Sequence, residues 1–127
     1  MNKINIFVID DQPLFRHGLI SMLKLFPEFQ VLGEASNLRK GMIKLLGKRP
    51  DVVILGNHLD EDGSYAAPIV KRCCPLARVI VFMDAYLPEP STADVSIADA
   101  YLSKKRVTMT EITNAILQVT KKERLTV

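Results

Sequence analysis

Charged residues follow two of the apolar runs in this sequence, and a glycine follows a third. Asp10 and Asp11 come after the first run, Gly56 comes after the third, and Lys104 comes after the last. Parallel strands of an open sheet present their carboxyl ends at one edge, so we expect these residues to lie close together. Two carboxylates and an ammonium at such an edge suit a phosphoryl-accepting site, which also needs a carboxylate nucleophile on its central strand. Gly56 has no side chain to supply it, so the sequence predicts the frame of a phosphorylation switch without its accepting residue.

The composition is typical of one globular domain. The chain has 127 residues, of which 48% are hydrophobic and 24% are charged, which argues against disorder. No apolar run approaches the ~20 residues that are needed to span a bilayer, and the N-terminus lacks a signal-peptide pattern. We therefore expect a cytoplasmic protein.

The formal net charge of +3 is a mild excess that favours nucleic acid or an acidic partner. The basic residues are nevertheless spread along the chain, and aromatic residues are not interleaved with them. Solvated helix faces account for most of these charges, so we do not expect this chain itself to bind DNA.

Neither the cysteines nor the histidines form a pattern typical of metal binding. Cys73 and Cys74 are adjacent, and neighbouring residues on a helix point about 100° apart, which is poor geometry for a mutual disulfide. We expect one buried thiol and one half-exposed thiol. His17 and His58 stand alone, without the spacing of zinc ligands.

Five short apolar runs alternate with segments of helical periodicity. The runs are Ile4–Ile9, Gln30–Glu34, Val52–Leu55, Arg78–Phe82 and Ala100–Leu102. Nearly continuous apolar runs of this length are typical of strands that are covered on both faces. The alternation therefore predicts an α/β protein in which helices cover both faces of a parallel sheet.

The second and third helical segments each have an apolar stripe that we expect to be buried. The second stripe consists of Leu38, Met42, Leu45 and Leu46, after a start at Ser36 or Asn37. The third consists of Ala66, Ile69, Val70 and Cys73, with Pro68 in the first turn of its helix, where proline is tolerated.

The last two helical segments differ in their predicted regularity. Pro88 and Pro90 occupy the expected first turn of the fourth helix and leave only residues 91–96, so we expect a short or irregular helix there. The fifth begins with a capping box at residues 108–111. The chain becomes polar after Val119, which predicts a domain over residues 1–120 and a tail or linker over residues 121–127.

Four segments carry a resemblance to a known family. They are residues 8–19 (VIDDQPLFRHGL), 49–53 (RPDVV), 72–81 (RCCPLARVIV) and 98–104 (ADAYLSK). From Ile4 to about Val119 the sequence resembles the receiver domain of two-component response regulators, and residues 8–19 resemble the NarL/FixJ subclass. The resemblance implies a flavodoxin-like (βα)5 doubly wound sheet with strand order 2-1-3-4-5.

The resemblance also implies roles for the residues at the carboxyl edge. In this family an acidic pair after the first strand helps to bind Mg²⁺, and Asp10 and Asp11 occupy that position. A lysine after the fifth strand corresponds to Lys104. Without a third carboxylate we expect at most weak Mg²⁺ binding, and a direct ion pair between Lys104 and Asp10 or Asp11.

Two other pocket positions depart from the family pattern. The aspartate that accepts the phosphoryl group corresponds to Gly56, and the Ser or Thr that hydrogen-bonds the phosphoryl oxygen corresponds to Met83. Tyr101 corresponds to the aromatic switch position, with either a switching role or a permanently buried ring. A surrogate acceptor, such as Asp60 or less plausibly His58, remains an alternative.

We therefore interpret the chain as a non-enzymatic, phosphorylation-independent pseudo-receiver that needs no cofactor. It would act through dimerisation or protein contacts and would reach DNA only through a downstream helix-turn-helix domain. The alternatives are a working phospho-receiver with an unusual acceptor such as Asp60, and a stand-alone adaptor. A nucleotide or flavin site at the same edge is disfavoured because no glycine-rich loop follows the first strand.

Overall fold

The chain folds as a parallel sheet with helices on both faces. The computed structural model describes residues 2–56, 66–83 and 98–125. Their elements are β1 (Ile4–Ile9), α1 (Pro13–Leu23), β2 (Phe29–Ala35), α2 (Leu38–Leu45), β3 (Val52–Gly56), α3 (Ala66–Cys73), β4 (Arg78–Met83), β5 (Ala100–Ser103) and α4 (Met109–Leu125). All strand pairs are parallel, and the strand order β2-β1-β3-β4-β5 confirms the predicted fold class. The helix expected near residues 91–96, with Pro88 and Pro90, lies outside the described residues.

The sheet separates two apolar clusters, one on each face. Alternate residues of the central strands point to opposite faces, as the pleat requires. Ile6, Val8 and Ile54 pack with α1 and α4, whereas Phe7, Ile9 and Val53 pack with α2 and α3. Every residue of β3 is buried. This double coverage explains the continuous apolar runs in the sequence and fixes the strand ends that form the site.

Local hydrogen bonds account for the starts of two helices. The side chain of Asn37 accepts a hydrogen bond of 2.8 Å from the backbone N–H of Lys40, so Asn37 rather than Ser36 caps α2. At α4 the hydroxyl of Thr108 accepts a bond of 3.2 Å from the backbone N–H of Glu111, as the capping box predicts. That helix continues to Leu125.

The prediction that Leu46 belongs to the buried stripe of the second helix is wrong. Helix α2 ends at Leu45, and Gly47 adopts φ +78°, which only glycine reaches at low cost. The N–H of Lys48 then bonds back to the carbonyl of Leu45 over 2.9 Å. Because the chain turns at this point, the side chain of Leu46 is left 77% exposed.

The prediction for the third helix is wrong at two positions. Ile69 and Cys73 are exposed, whereas Ala67 is buried beside Ala66 and Val70. Ala66, Ala67 and Val70 therefore face the sheet, and Ile69 and Cys73 lie outside this buried face.

Neither cysteine is buried, contrary to the expectation of one buried thiol. Cys73 is exposed and Cys74 is partly buried, and both are free thiols. Partial burial raises the pKa of the Cys74 thiol above its ordinary value, and the neighbouring Cys73 raises it further.

None of the helices in the described ranges is long and apolar enough to cross a membrane.

Gly41 is required where α2 crosses β1, and its replacement provides a test of this packing. A Cβ at Gly41 would lie 2.9 Å from Cγ1 of Ile9 and even closer to Cδ1, and Ile9 is fully buried. We expect Gly41→Ala to lower the free energy of unfolding by about 1–3 kcal/mol in chemical denaturation, because the core is overpacked. Gly18→Ala is the matched control: a Cβ there meets no atom within 4 Å. It should therefore stabilise α1 by up to ~1 kcal/mol. A neutral or stabilising Gly41→Ala would contradict the close contact.

Candidate functional site at the carboxyl edge of the sheet

Asp10 lies at the end of β1 and is the buried carboxylate of the site. The residue is 1% exposed. Its Oδ1 accepts a hydrogen bond of 2.8 Å from the backbone N–H of Gln12, which opens α1. Its Oδ2 lies 2.8 Å from Nζ of Lys104. That second contact lacks the alignment of a hydrogen bond, so Oδ2 is held by charge.

Lys104 reaches Asp10 from the opposite side of the central strands. Its backbone N–H donates to the carbonyl of Met83 over 2.8 Å, which fixes the chain just beyond β5. The lysine side chain is only 8% exposed. Its ammonium also donates a hydrogen bond to Oε1 of Gln12 and lies 4.5 Å from the centroid of the Phe15 ring. Two polar partners and one aromatic face therefore hold the ammonium in place.

Gly56 provides the space into which the Asp10 carboxylate fits. Gly56 is the last residue of β3, which lies next to β1 in the sheet. A Cβ built on Gly56 would lie 2.7 Å from Cγ of Asp10 and closer still to Oδ2. The Asp10 carboxylate thus packs against the backbone of Gly56, in the volume that a side chain at position 56 would need.

Arg16 is a site residue that the sequence reasoning missed. From the first turns of α1 its Nη1 donates to the backbone carbonyl of Asp10 over 2.6 Å, and its Nε donates to Oε1 of Glu34 over 2.7 Å. The Arg16 side chain is 11% exposed. Arg16 therefore links the ends of β1 and β2 and fixes the backbone carbonyl of Asp10. The sequence feature that could have identified Arg16 is its position as a cation one turn after Pro13, on the helix that follows the acidic pair.

His17 and Gln12 add to the rim of the site. His17 Nε2 lies 3.4 Å from the Glu34 carboxylate, but its side chain is 62% exposed. Gln12 precedes α1 as the N-cap residue, yet its side chain makes no capping bond and instead accepts from Lys104.

The structure places the remaining predicted site residues as follows. Asp11 is exposed, so Asp10 rather than Asp11 pairs with Lys104. Met83 and Tyr101 are each partly buried and pack against the apolar cluster on the α2 and α3 face. Asp60 and His58, the candidate surrogate acceptors, lie outside the described residues.

The described residues supply fewer free carboxylates than the Mg²⁺ site that the family resemblance implies. Mg²⁺ in such sites uses one or two carboxylates together with phosphate oxygens. Here one carboxylate is neutralised by the Lys104 ammonium, the second is exposed, and Gly56 offers no third. Within residues 2–56, 66–83 and 98–125 no group of three or more metal-ligating side chains is found.

A double-mutant cycle tests whether Asp10 occupies the space over Gly56. We expect Gly56→Ala to lower the free energy of unfolding by about 1–3 kcal/mol, because the new methyl group displaces the carboxylate from Lys104. In an Asp10→Ala background the three nearest atoms to that methyl group are gone, so the same substitution should cost much less. The coupling energy from denaturation curves should fall within about 0.5–3 kcal/mol. Equal costs in both backgrounds would show that the two residues are not in contact.

Comparisons with known proteins agree with this fold. No family model matches the chain. Among curated proteins, the DNA-binding transcriptional activator DevR/DosR of Mycobacterium tuberculosis is 27% identical over 100 residues, which are 79% of this chain and 44% of that protein. Protein-glutamate methylesterase/protein-glutamine glutaminase 3 of Geobacter sulfurreducens is 33% identical over 82 residues, 64% of this chain and 22% of that enzyme. The chain therefore spans less than half the length of these relatives.

Solved structures match over nearly the whole chain. The signal receiver domain of the response regulator NarL from Mycobacterium tuberculosis is 29% identical, with a TM-score of 0.82, over 95% of this chain and 98% of that domain. RcsB from Salmonella enterica, at 20% identity and a TM-score of 0.80, covers 98% of this chain and supports the fold alone. The parallel sheet of order 2-1-3-4-5 is the CheY-like fold, and over nearly its whole length the chain is similar to response-regulator receiver domains, with NarL- and LuxR-family regulators among its neighbours.

Proposed function

We propose that this receiver domain works without phosphorylation and regulates a transcription regulator through dimerisation or protein contacts. The single observation that supports the proposal is the position of the Asp10 carboxylate, which packs over Gly56 and pairs with Lys104. In this arrangement Gly56, the last described residue of the central strand, offers no side-chain oxygen as a nucleophile.

The chemistry of phosphoryl acceptance requires a nucleophile that is positioned and activated. Gly56 has only its backbone at the position that the family resemblance assigns to the acceptor. The neighbouring Asp10 carboxylate is not a substitute, because its charge is compensated by the Lys104 ammonium and one of its oxygens accepts the N–H of Gln12. Among the described residues the site therefore has no acceptor at position 56, and only one of its two carboxylates, that of Asp11, is free of the Lys104 ammonium.

The ion pair between Asp10 and Lys104 also explains why the domain would keep a single conformation at its carboxyl edge. A ligand shifts an equilibrium between two conformations only by its difference in affinity for them. A phosphoryl group could change the contacts of Lys104 only if it were held at position 56, and Gly56 cannot hold it. The pair with Asp10 is then permanent, and regulation falls to concentration, to partner binding or to both.

The relatives support a role in transcription regulation rather than catalysis. DevR/DosR, which is 27% identical over 100 residues, is a DNA-binding transcriptional activator. The methylesterase relative is matched over only 22% of its length. We propose that this chain contacts DNA only through a domain beyond its own sequence and has no enzymatic activity of its own.

Treatment with a small-molecule phosphodonor tests the proposal. After incubation with acetyl phosphate and Mg²⁺, the intact mass of the parent chain should be unaltered, because residue 56 has no oxygen nucleophile. The Gly56→Asp variant should gain a phosphoryl adduct once Asp10 is displaced from the space over residue 56. A receiver domain with an intact acceptor aspartate serves as the reagent control.

A stable adduct on the parent chain would refute the proposal. Peptide mapping would then locate the acceptor, and modification at Asp60 would establish the alternative of a working phospho-receiver with an unusual acceptor.

A further inference from the structure

Helix α2 and the turn after it concentrate positive charge away from the Asp10 site. Between residues 36 and 50 the sequence has five cations and no carboxylate. The cations are Arg39, Lys40, Lys44, Lys48 and Arg49, and all five are exposed. The chain has 17 lysines and arginines against 14 acidic residues, so a stretch without any acid is a local imbalance.

Two of these cations are engaged with the backbone of β2. Lys44 Nζ donates to the carbonyl of Glu34 over 2.8 Å, and Lys48 Nζ donates to the carbonyl of Leu32 over 3.4 Å. In the described part of the chain no carboxylate pairs with Arg39 or Lys40. Among the described residues, nothing compensates the positive charge of these two side chains.

Two large aliphatic residues lie beside these cations. Ile43 is 60% exposed and Leu46 is 77% exposed. The N–H of Leu46 bonds to the carbonyl of Ile43 over 3.3 Å, so the backbones of these two exposed residues are in contact at the end of α2. Spacings of three and four residues place Arg39 and Lys40 one turn before Ile43. We call these four residues (Arg39, Lys40, Ile43 and Leu46) the α2 outer face.

We propose that the α2 outer face docks an acidic amphipathic segment of a partner protein. Carboxylates of that segment would pair with Arg39 and Lys40, and its aliphatic side chains would cover Ile43 and Leu46. Peptides of this kind are recognised through apolar anchors at helical spacing combined with complementary charge. The proposal adopts protein contact as the mode of action, but it is independent of the chemistry at Gly56.

Other occupants fit the α2 outer face less well. A second copy of the same face would bring Arg39 and Lys40 against their own equivalents, and like charges oppose such an interface. Nucleic acid would place Ile43 and Leu46 against phosphates, and the face has no aromatic ring on which a base could stack. A membrane surface favours long helices with large apolar faces, whereas α2 has eight residues and its inner side packs against the sheet.

Fluorescence anisotropy with a defined probe tests the proposal. The probe is a labelled helical peptide with glutamates on one face and leucines on the adjacent face, and its matched form has serine in place of each leucine. We expect saturable binding of the leucine peptide to the full chain, and binding of the serine peptide that is weaker by about tenfold. Binding should also weaken with rising salt, since part of it is electrostatic.

Three double variants assign the binding to the α2 outer face. Arg39→Glu with Lys40→Glu, and Ile43→Ser with Leu46→Ser, should each weaken binding of the leucine peptide by about tenfold or more. The control is Lys24→Glu with Lys121→Glu, which makes the same change of charge at the C-terminal end of α1 and on α4, across the sheet. Circular dichroism confirms that each variant is folded.

Several outcomes would overturn the proposal. These are the absence of saturable binding, an equal loss in the Lys24 and Lys121 control, or equal binding of the leucine and serine peptides. Tighter binding of duplex DNA or of phosphatidylglycerol vesicles at the same salt concentration, lost in the Arg39 and Lys40 variant, would assign the face to a different class of partner. Since the phosphodonor assay does not involve α2, a failure here leaves that result unchanged.

Discussion

The structure of the site depends on one ion pair, between the buried carboxylate of Asp10 and the ammonium of Lys104. Two charges removed from water need close mutual contact and further polar partners. Gln12 supplies partners to both, through its backbone N–H to Asp10 and its side-chain oxygen to Lys104. The absence of a side chain at Gly56 allows this contact, because the carboxylate occupies the volume next to the Gly56 backbone. One missing side chain therefore determines both the chemistry of the pocket and its geometry.

Contacts with the neighbouring strands fix the backbone on both sides of this ion pair. Arg16 fixes the backbone carbonyl of Asp10 and links it to Glu34 on β2, while the backbone of Lys104 is bonded to Met83 at the end of β4. Four strand ends are thus connected through a few charged and polar contacts. A buried ion pair is weak evidence for stability, but its partners do limit the conformations that the carboxyl edge adopts. This is consistent with a domain whose output is set by its partners rather than by a modification at residue 56.

The sequence predicts the sheet well because buried parallel strands require continuous apolar runs, and the five runs coincide with β1 to β5 within one residue at each end. It also predicts a pair between Lys104 and one of the first two aspartates. It does not predict which aspartate, because that choice depends on the space beside Gly56 in a neighbouring strand. Arg16 was missed since its role depends on contacts with β1 and β2 that no local pattern encodes. The exposure of Leu46 was missed for a different reason: apolar periodicity continues through a turn that Gly47 imposes.

The domain presents two surfaces with different chemistry, a polar site at the carboxyl edge and an exposed, cationic α2. Whether the carboxyl edge binds a phosphoryl-like ligand is tested most directly by amide NMR spectra of the chain with Mg²⁺ and beryllofluoride, an analogue of the phosphoryl group. We expect the amide resonances of Gly56, Met83 and Lys104 to stay in place as both reagents are added. Saturable shifts of these resonances that require Mg²⁺ and beryllofluoride together would contradict this expectation, since they would show that the pocket still holds a phosphoryl-like ligand.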